Sequence, residues 1–200
     1  MVLAACASGG GALPDAEPTT TPSVPSSVPT SSDTTPPAAD PYAIPDVIDA
    51  AYVNRVLAAL YRIDGDALRE VLGSMVVGRA PIDLMAQAFS SPQLEVKLED
   101  LMLVLDDDPA IYKVPPGDRR VTVESLALVS PTCIVALVKS DFSDVVVNPA
   151  PRDPGKVGLV VLVPVSDTVR ANGVNPTPWS ISLARLIGRN DPPLAMSPCG

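Results

Sequence analysis

No histidine occurs among the 200 residues of the chain. Imidazole is the commonest general acid or base near neutral pH and the commonest metal ligand, so histidine triads, Cys/His nucleophile pairs and histidine-based zinc sites are excluded. Acid–base chemistry would have to rest on Asp, Glu, Lys or Tyr. The run Asp106-Asp107-Asp108 is rich in oxygen ligands, but a calcium loop of the EF-hand type needs oxygens at alternate positions, a glycine at the sharp turn and a distal Glu. That spacing is missing, so a solvated turn before Pro109 is expected there and no bound metal. Gly9-Gly10-Gly11 follows no strand and carries no Lys-Ser/Thr, which makes it linker rather than a phosphate cradle. Spacing alone therefore yields no catalytic residue, no metal ligand and no cofactor site.

The three cysteines carry more. Cys6 stands in Leu3-Ala4-Ala5-Cys6-Ala7-Ser8-Gly9, a run that resembles a bacterial lipobox. The resemblance implies a lipoprotein, with residues 1–5 the remnant of a signal peptide and the Cys6 thiol carrying a diacylglyceryl group. A working signal needs a charged region and an apolar stretch of about 7–15 residues, so the leader is expected to begin upstream of Met1. The bland alternative is an incidental thiol in a disordered end. With Cys6 acylated, Cys133 and Cys199 form an even pair in a compartment that permits disulfides. They either bridge, stapling the C-terminal tail to the sheet, or stay apart as a buried Cys133 and a loose Cys199.

Pro14 through Pro45 contains nine prolines interleaved with Ser and Thr and almost nothing large and apolar. Such a segment cannot repay its ordering entropy by burial, so residues 6–45 are expected to form a disordered, polyproline-biased tether. At about 3.1 Å per residue it could reach on the order of 100 Å. Residues 46–200 remain for a single domain, which is ample for one hydrophobic core. The net charge of −9, with four lysines and the arginines scattered except for Arg119-Arg120, leaves no electrostatic footprint for nucleic acid. No run of 18 apolar residues occurs, so attachment to a membrane would come through the lipid on Cys6. The preference for Arg over Lys resembles the usage of high-GC bacteria.

Apolar periodicity sets out the elements of this domain. Val53, Val56, Leu57, Leu60 and Ile63 recur at helical spacing, which predicts an amphipathic helix from Asp46, as N-cap, to about Arg62. Asp64-Gly65-Asp66 is expected to break it, with a second short helix over Ala67 to Leu72 stopped by Gly73. Pro81 opens a third that ends at Ser90-Ser91-Pro92. Leu94 to Leu105 fits a helix better than a strand. Beyond Gly117 the period changes to two, and strands are predicted from Val121 to Val129, Cys133 to Phe142, Val157 to Val165 and Trp179 to Leu186. Helices first and strands after argue for an α+β domain, with the N-terminal helices packed on one face of a curved antiparallel sheet in a cone-like arrangement. Trp179, the sole tryptophan, is expected to pack against the first helix near Val53 to Leu60, its indole N–H on a polar partner.

The first helix running into Ile63-Asp64-Gly65-Asp66-Ala67-Leu68, and the late strand opened by Trp179-Ser180-Ile181-Ser182, resemble the ketosteroid-isomerase-like superfamily, which includes the nuclear transport factor family. The resemblance covers about 140 residues, roughly Pro45 to Gly188, and the segment Pro92 to Gly117 departs from it. It implies a pocket enclosed by helices and curved sheet, which enzymes of the family line with an Asp base and a Tyr/Asp oxyanion pair. No position here matches those motifs residue by residue; Tyr52, Tyr61, Asp141 and Asp144 have the right chemistry. The expected function is that of a membrane-anchored extracytoplasmic lipoprotein with a non-catalytic domain that binds an envelope protein or an apolar ligand. The alternative is an envelope enzyme or lipid carrier. An apolar pocket favours carriage, a buried Asp beside a Tyr hydroxyl favours proton transfer, and a filled interior leaves only interaction.

Overall fold

Helix α1, Ala50–Ser74, is the spine on which the other elements pack. A computed structural model of the chain describes residues 40–106, 109–147, 157–187 and Cys199; Cys6, Gly9-Gly10-Gly11, most of the expected tether, Asp107 and Asp108 lie outside them. The N-cap of α1 is Asp49, three residues later than Asp46, and its carboxylate accepts from the Tyr52 N–H at 2.7 Å. The expected break at Asp64-Gly65-Asp66 does not occur, and one helix runs through both predicted segments, past Gly73, to Met75 at its left-handed C-cap (φ 55°). Tertiary contacts explain the difference. Asp64 pairs with Lys97 at 3.1 Å, and Asp66 shares Arg69 with Asp118 at 2.8 and 2.9 Å. Gly65 lets Asp118 approach, since a Cβ there would stand 2.6 Å from its Oδ1. These contacts outweigh the ~1 kcal/mol that an interior glycine costs a helix.

Helix α2, Arg79–Ala88, carries Pro81 within its first turn, where a missing N–H costs nothing. Helix α3 spans Gln93–Asp106, and a short 3₁₀ turn, Pro109–Ile111, follows. The strands β1 (Arg120–Ser130), β2 (Cys133–Asp141), β3 (Gly158–Pro164) and β4 (Trp179–Leu186) form an antiparallel sheet in the order β1-β2-β3-β4. A small helix, α4 (Asp167–Asn172), joins β3 to β4 and was not foreseen in the sequence. Its signals are there: Ser166 caps the Val169 N–H, and Gly173 closes the helix at φ +66°.

The protein is α+β, with the helices on one face of a curved antiparallel sheet. Register shifts at Val123/Ser125 and Leu126/Leu128 on β1, and opposite Val161/Leu162 on β4, mark irregularities of the kind that bend strands. Alternation then sorts the side chains. Ile134, Ala136, Val138, Val160, Leu162, Trp179 and Ile181 face the helices and join Val53, Leu57, Leu60 and Phe89 in the core. Val135, Leu159 and Val161 form a second cluster with Cys133 on the opposite face. Edge strand β4 is covered where Ser90 N donates to Ile181 O at 3.0 Å and Gln93 Oε1 accepts from Ala184 N at 2.7 Å, which removes a template for strand addition.

Trp179 is fully buried in the core, and its Nε1 donates to Tyr52 Oη at 2.9 Å. Asn175, equally buried, holds the chain entering β4, donating to Gln87 O and Trp179 O and accepting from Thr177 N and Oγ1, all within 2.8 to 2.9 Å. Truncating Trp179 to Ala should cost about 3–5 kcal/mol in urea unfolding, whereas Tyr52→Phe, which only orphans the indole N–H, should cost about 1–3 kcal/mol. A well-folded Trp179→Ala protein would move the ring from the core to a functional surface.

Cys133, at the start of β2, is bonded to Cys199, 66 positions along the chain, with Cα atoms 5.9 Å apart. Closing a loop of that length contributes about 4 kcal/mol in the chain-entropy account. Mass spectrometry of unreduced peptides should recover Cys133 linked to Cys199, and reduction should lower the unfolding free energy by up to about 4 kcal/mol. Two freely alkylated thiols in the native protein would refute the bridge.

Candidate functional site

Between helices α1 to α3 and the segments that precede β1 and follow β2 lies a cavity of about 460 Å³, inside the range of about 300–1,000 Å³ usual for small-molecule sites. Leu68 of α1, Met85 of α2 and Leu101 and Val104 of α3 supply much of its apolar wall. The far wall is the segment Ile111 to Gly117 against the turn after β2. These two stretches are tied by Lys113 N to Val145 O (2.9 Å) and Gly117 N to Asp144 O (2.8 Å). Only glycine permits that approach, since a Cβ on Gly117 would lie 2.8 Å from Asp144 Cβ. A smaller cavity of about 180 Å³ between α3 and strands β2 to β4 shares Lys97, Asp100, Arg119 and Phe142 with the first.

Four charged residues line the larger cavity: Asp64, Lys97, Asp100 and Arg119. Lys97 lies 3.1 Å from Asp64 and 3.9 Å from Asp100, with its ammonium 5.4 Å from the centre of the Phe89 ring. Arg119 is held differently. Its guanidinium packs over Tyr61 at 4.5 Å and over Phe142 at 4.6 Å, and Nη2 donates to Ser140 Oγ at 2.6 Å. Among the described residues its buried Nε has no hydrogen-bond partner, nor does the hydroxyl of Tyr61.

The four residues with acid–base chemistry in the sequence do not converge on this cavity. The Tyr52 hydroxyl is engaged by Trp179. Asp141 is exposed and closes a turn: hydrogen bonds from the Ser143 backbone and side chain hold its carboxyl below the ordinary value, with Arg120 and Lys113 adding to the effect. Asp144 pairs with Arg120 outside the cavity wall. Tyr61 is buried edge-on to Phe89, ring centres 6.5 Å apart, and the nearest acid acting on it, Asp64, is tied to Lys97. Among the described residues no carboxylate is hydrogen-bonded to the hydroxyl of Tyr52 or Tyr61, so these two tyrosines do not form with Asp141 or Asp144 the oxyanion and base pair that the resemblance would imply. Arg119 and Lys97, to which the sequence assigns no role, are the cationic side chains that the fold brings to the cavity among the described residues. The Arg119-Arg120 doublet was the only visible hint of the first.

Among the described residues no group of three or more His, Cys, Asp or Glu side chains is placed to hold a metal ion. No helix among them is long and apolar enough to cross a membrane. Comparison with protein-family models, curated proteins and solved structures finds no match to this chain.

Desolvation raises the pKa of Tyr61 above that of a free phenol, Arg119 partly offsets this and Asp64 adds to it. A raised folded-state value means that the unfolded chain ionises first as pH passes about 10, so the stability linked to Tyr61 is intact below that pH and is lost as pH climbs toward the folded value. Ultraviolet titration should show one of the four tyrosines ionising only with unfolding. Tyr61→Phe should remove that step, flatten the alkaline fall in Tm, and leave stability at pH 7 unchanged or higher, because it deletes an unpaired buried hydroxyl.

Proposed function

We propose that this chain is a lipid-anchored protein of the outer face of the cell membrane whose tethered domain binds an apolar small molecule without chemically transforming it. The observation that carries the reading is the cavity between the helices and the segments flanking β1 and β2, apolar over most of its wall and furnished with a few fixed polar groups. Small-molecule sites have that composition. Catalysis is disfavoured because Tyr52, Asp141 and Asp144 are engaged elsewhere and Tyr61 has no carboxylate partner. The lipobox-like Leu3-Ala4-Ala5-Cys6 and the Pro/Thr/Ser segment support the anchor and the stalk. Helices followed by a curved antiparallel sheet support kinship with the ketosteroid-isomerase-like superfamily, in which the corresponding cone encloses a pocket; α3 stands where the chain departs from that pattern.

Expressed with its upstream in-frame codons, the protein should fractionate with membranes, and Cys6→Ser should release it. Native mass spectrometry of protein taken from its own envelope should show a bound small molecule. Leu68→Trp, which fills the cavity from α1, should remove that added mass while the far-ultraviolet dichroism stays the same. Unchanged membrane association of the Cys6→Ser protein would refute the anchor, and a wild-type protein that never carries a ligand would refute the binding role.

A further inference from the structure

Arg119 is the cavity's uncommitted cation. None of the ion pairs among the described residues includes it, whereas Lys97, which lines the same space, is neutralised by Asp64 and Asp100. The Tyr61 and Phe142 rings pack against the guanidinium and Ser140 takes one N–H. Ser140 thus takes one of the five donors of the fork, and Arg119 lines the cavity wall. Nε is buried and has no acceptor, and an unmet buried donor of a charged group is among the costlier defects a fold can carry. Nε itself is closed off from the cavity, so a ligand would meet the guanidinium through the part of Arg119 that lines the wall.

We infer that the cavity receives an amphiphilic carboxylic acid, its carboxylate on Arg119 and its hydrocarbon body against the apolar wall. This rests on the cavity being the ligand site proposed above. The planar guanidinium fork matches carboxylate and phosphate alike, and the charge balance selects between them. Among the described residues the charged side chains lining the cavity, Asp64, Asp100, Lys97 and Arg119, sum to zero, so against them a monoanion leaves one excess negative charge and a phosphate dianion leaves two, beside two carboxylates already present. An uncharged head, such as an alcohol, would accept a hydrogen bond from the guanidinium but would gain little from its charge.

Isothermal titration of the full-length chain with dodecanoate, dodecanol and dodecyl phosphate tests the assignment. Dodecanoate should bind about tenfold or more tighter than dodecanol, the margin expected of a charge-assisted hydrogen bond over a neutral one, and tighter than dodecyl phosphate. Arg119→Met should erase the margin and leave dodecanol binding as it was, and Arg119→Lys should keep part of it. The comparison of head groups on the wild-type protein needs no variant, so it decides the matter even if Arg119→Met does not fold. Equal affinity for acid and alcohol, or tighter binding of the phosphate, would overturn the head-group assignment and leave the ligand site standing. If none of the three binds, the ligand site fails as well.

Discussion

The hydrogen bond from Trp179 to Tyr52 sets the register between the helical layer and the sheet, and the rest of the domain depends on that register. Apolar packing between a helix and a sheet is tolerant of sliding, because hydrophobic attraction has no preferred direction. An indole N–H buried to zero exposure is not tolerant, since it must find its acceptor or bear the desolvation cost. Asn175 extends the same constraint to α2 by bonding the Gln87 carbonyl while it shapes the entry to β4. Two polar side chains thus specify one arrangement of α1, α2 and β4 out of the many that burial alone would accept.

An interior cavity follows from how the remaining elements are spaced. Helix α3 is tied to α1 by the Asp64–Lys97 pair, whose side chains are about 15% exposed, and the segment Ile111 to Gly117 is held by backbone bonds to the turn after β2. Both are polar, length-fixed links, so the apolar side chains between them cannot close up completely. Removing one member of such a half-buried pair would leave a stranded charge. The arrangement therefore keeps a space open that a purely apolar interface would fill.

The strands were legible in the sequence because period-two alternation and the turn at Ser130-Pro131 are local signals, and the order of helices before strands was enough to give the α+β class. The helix through Asp64-Gly65-Asp66 was misread for a physical reason. Two aspartates flanking a glycine are strong turn formers when alone, and the partners that retain them in a helix, Lys97, Arg69 and Asp118, come from elsewhere in space or from the following turn. The site was less legible still. Tyr61 and Asp141 drew notice by residue type, yet burial and Ser143 decide what each can do. Arg119 gains its standing only from Tyr61, Ser140 and Phe142, which surround it in the fold and are up to 58 positions away in the chain.

A chain of net charge −9 is an unpromising receptor for an anion at long range, since its field repels one. At physiological ionic strength that field decays over about 8 Å, so what an approaching acid meets near the cavity is set by local groups. There the sign changes from place to place: Asp100 is largely exposed at 59%, Lys97 is covered, and Arg119 lies inside with its fork against aromatic rings. Selection would then depend on short-range hydrogen bonding and not on steering, which gives slow capture and a dwell time set by how well the apolar tail is buried. Under the anchoring proposed for Cys6 long-range capture would not be needed, because a membrane surface concentrates amphiphiles beside it.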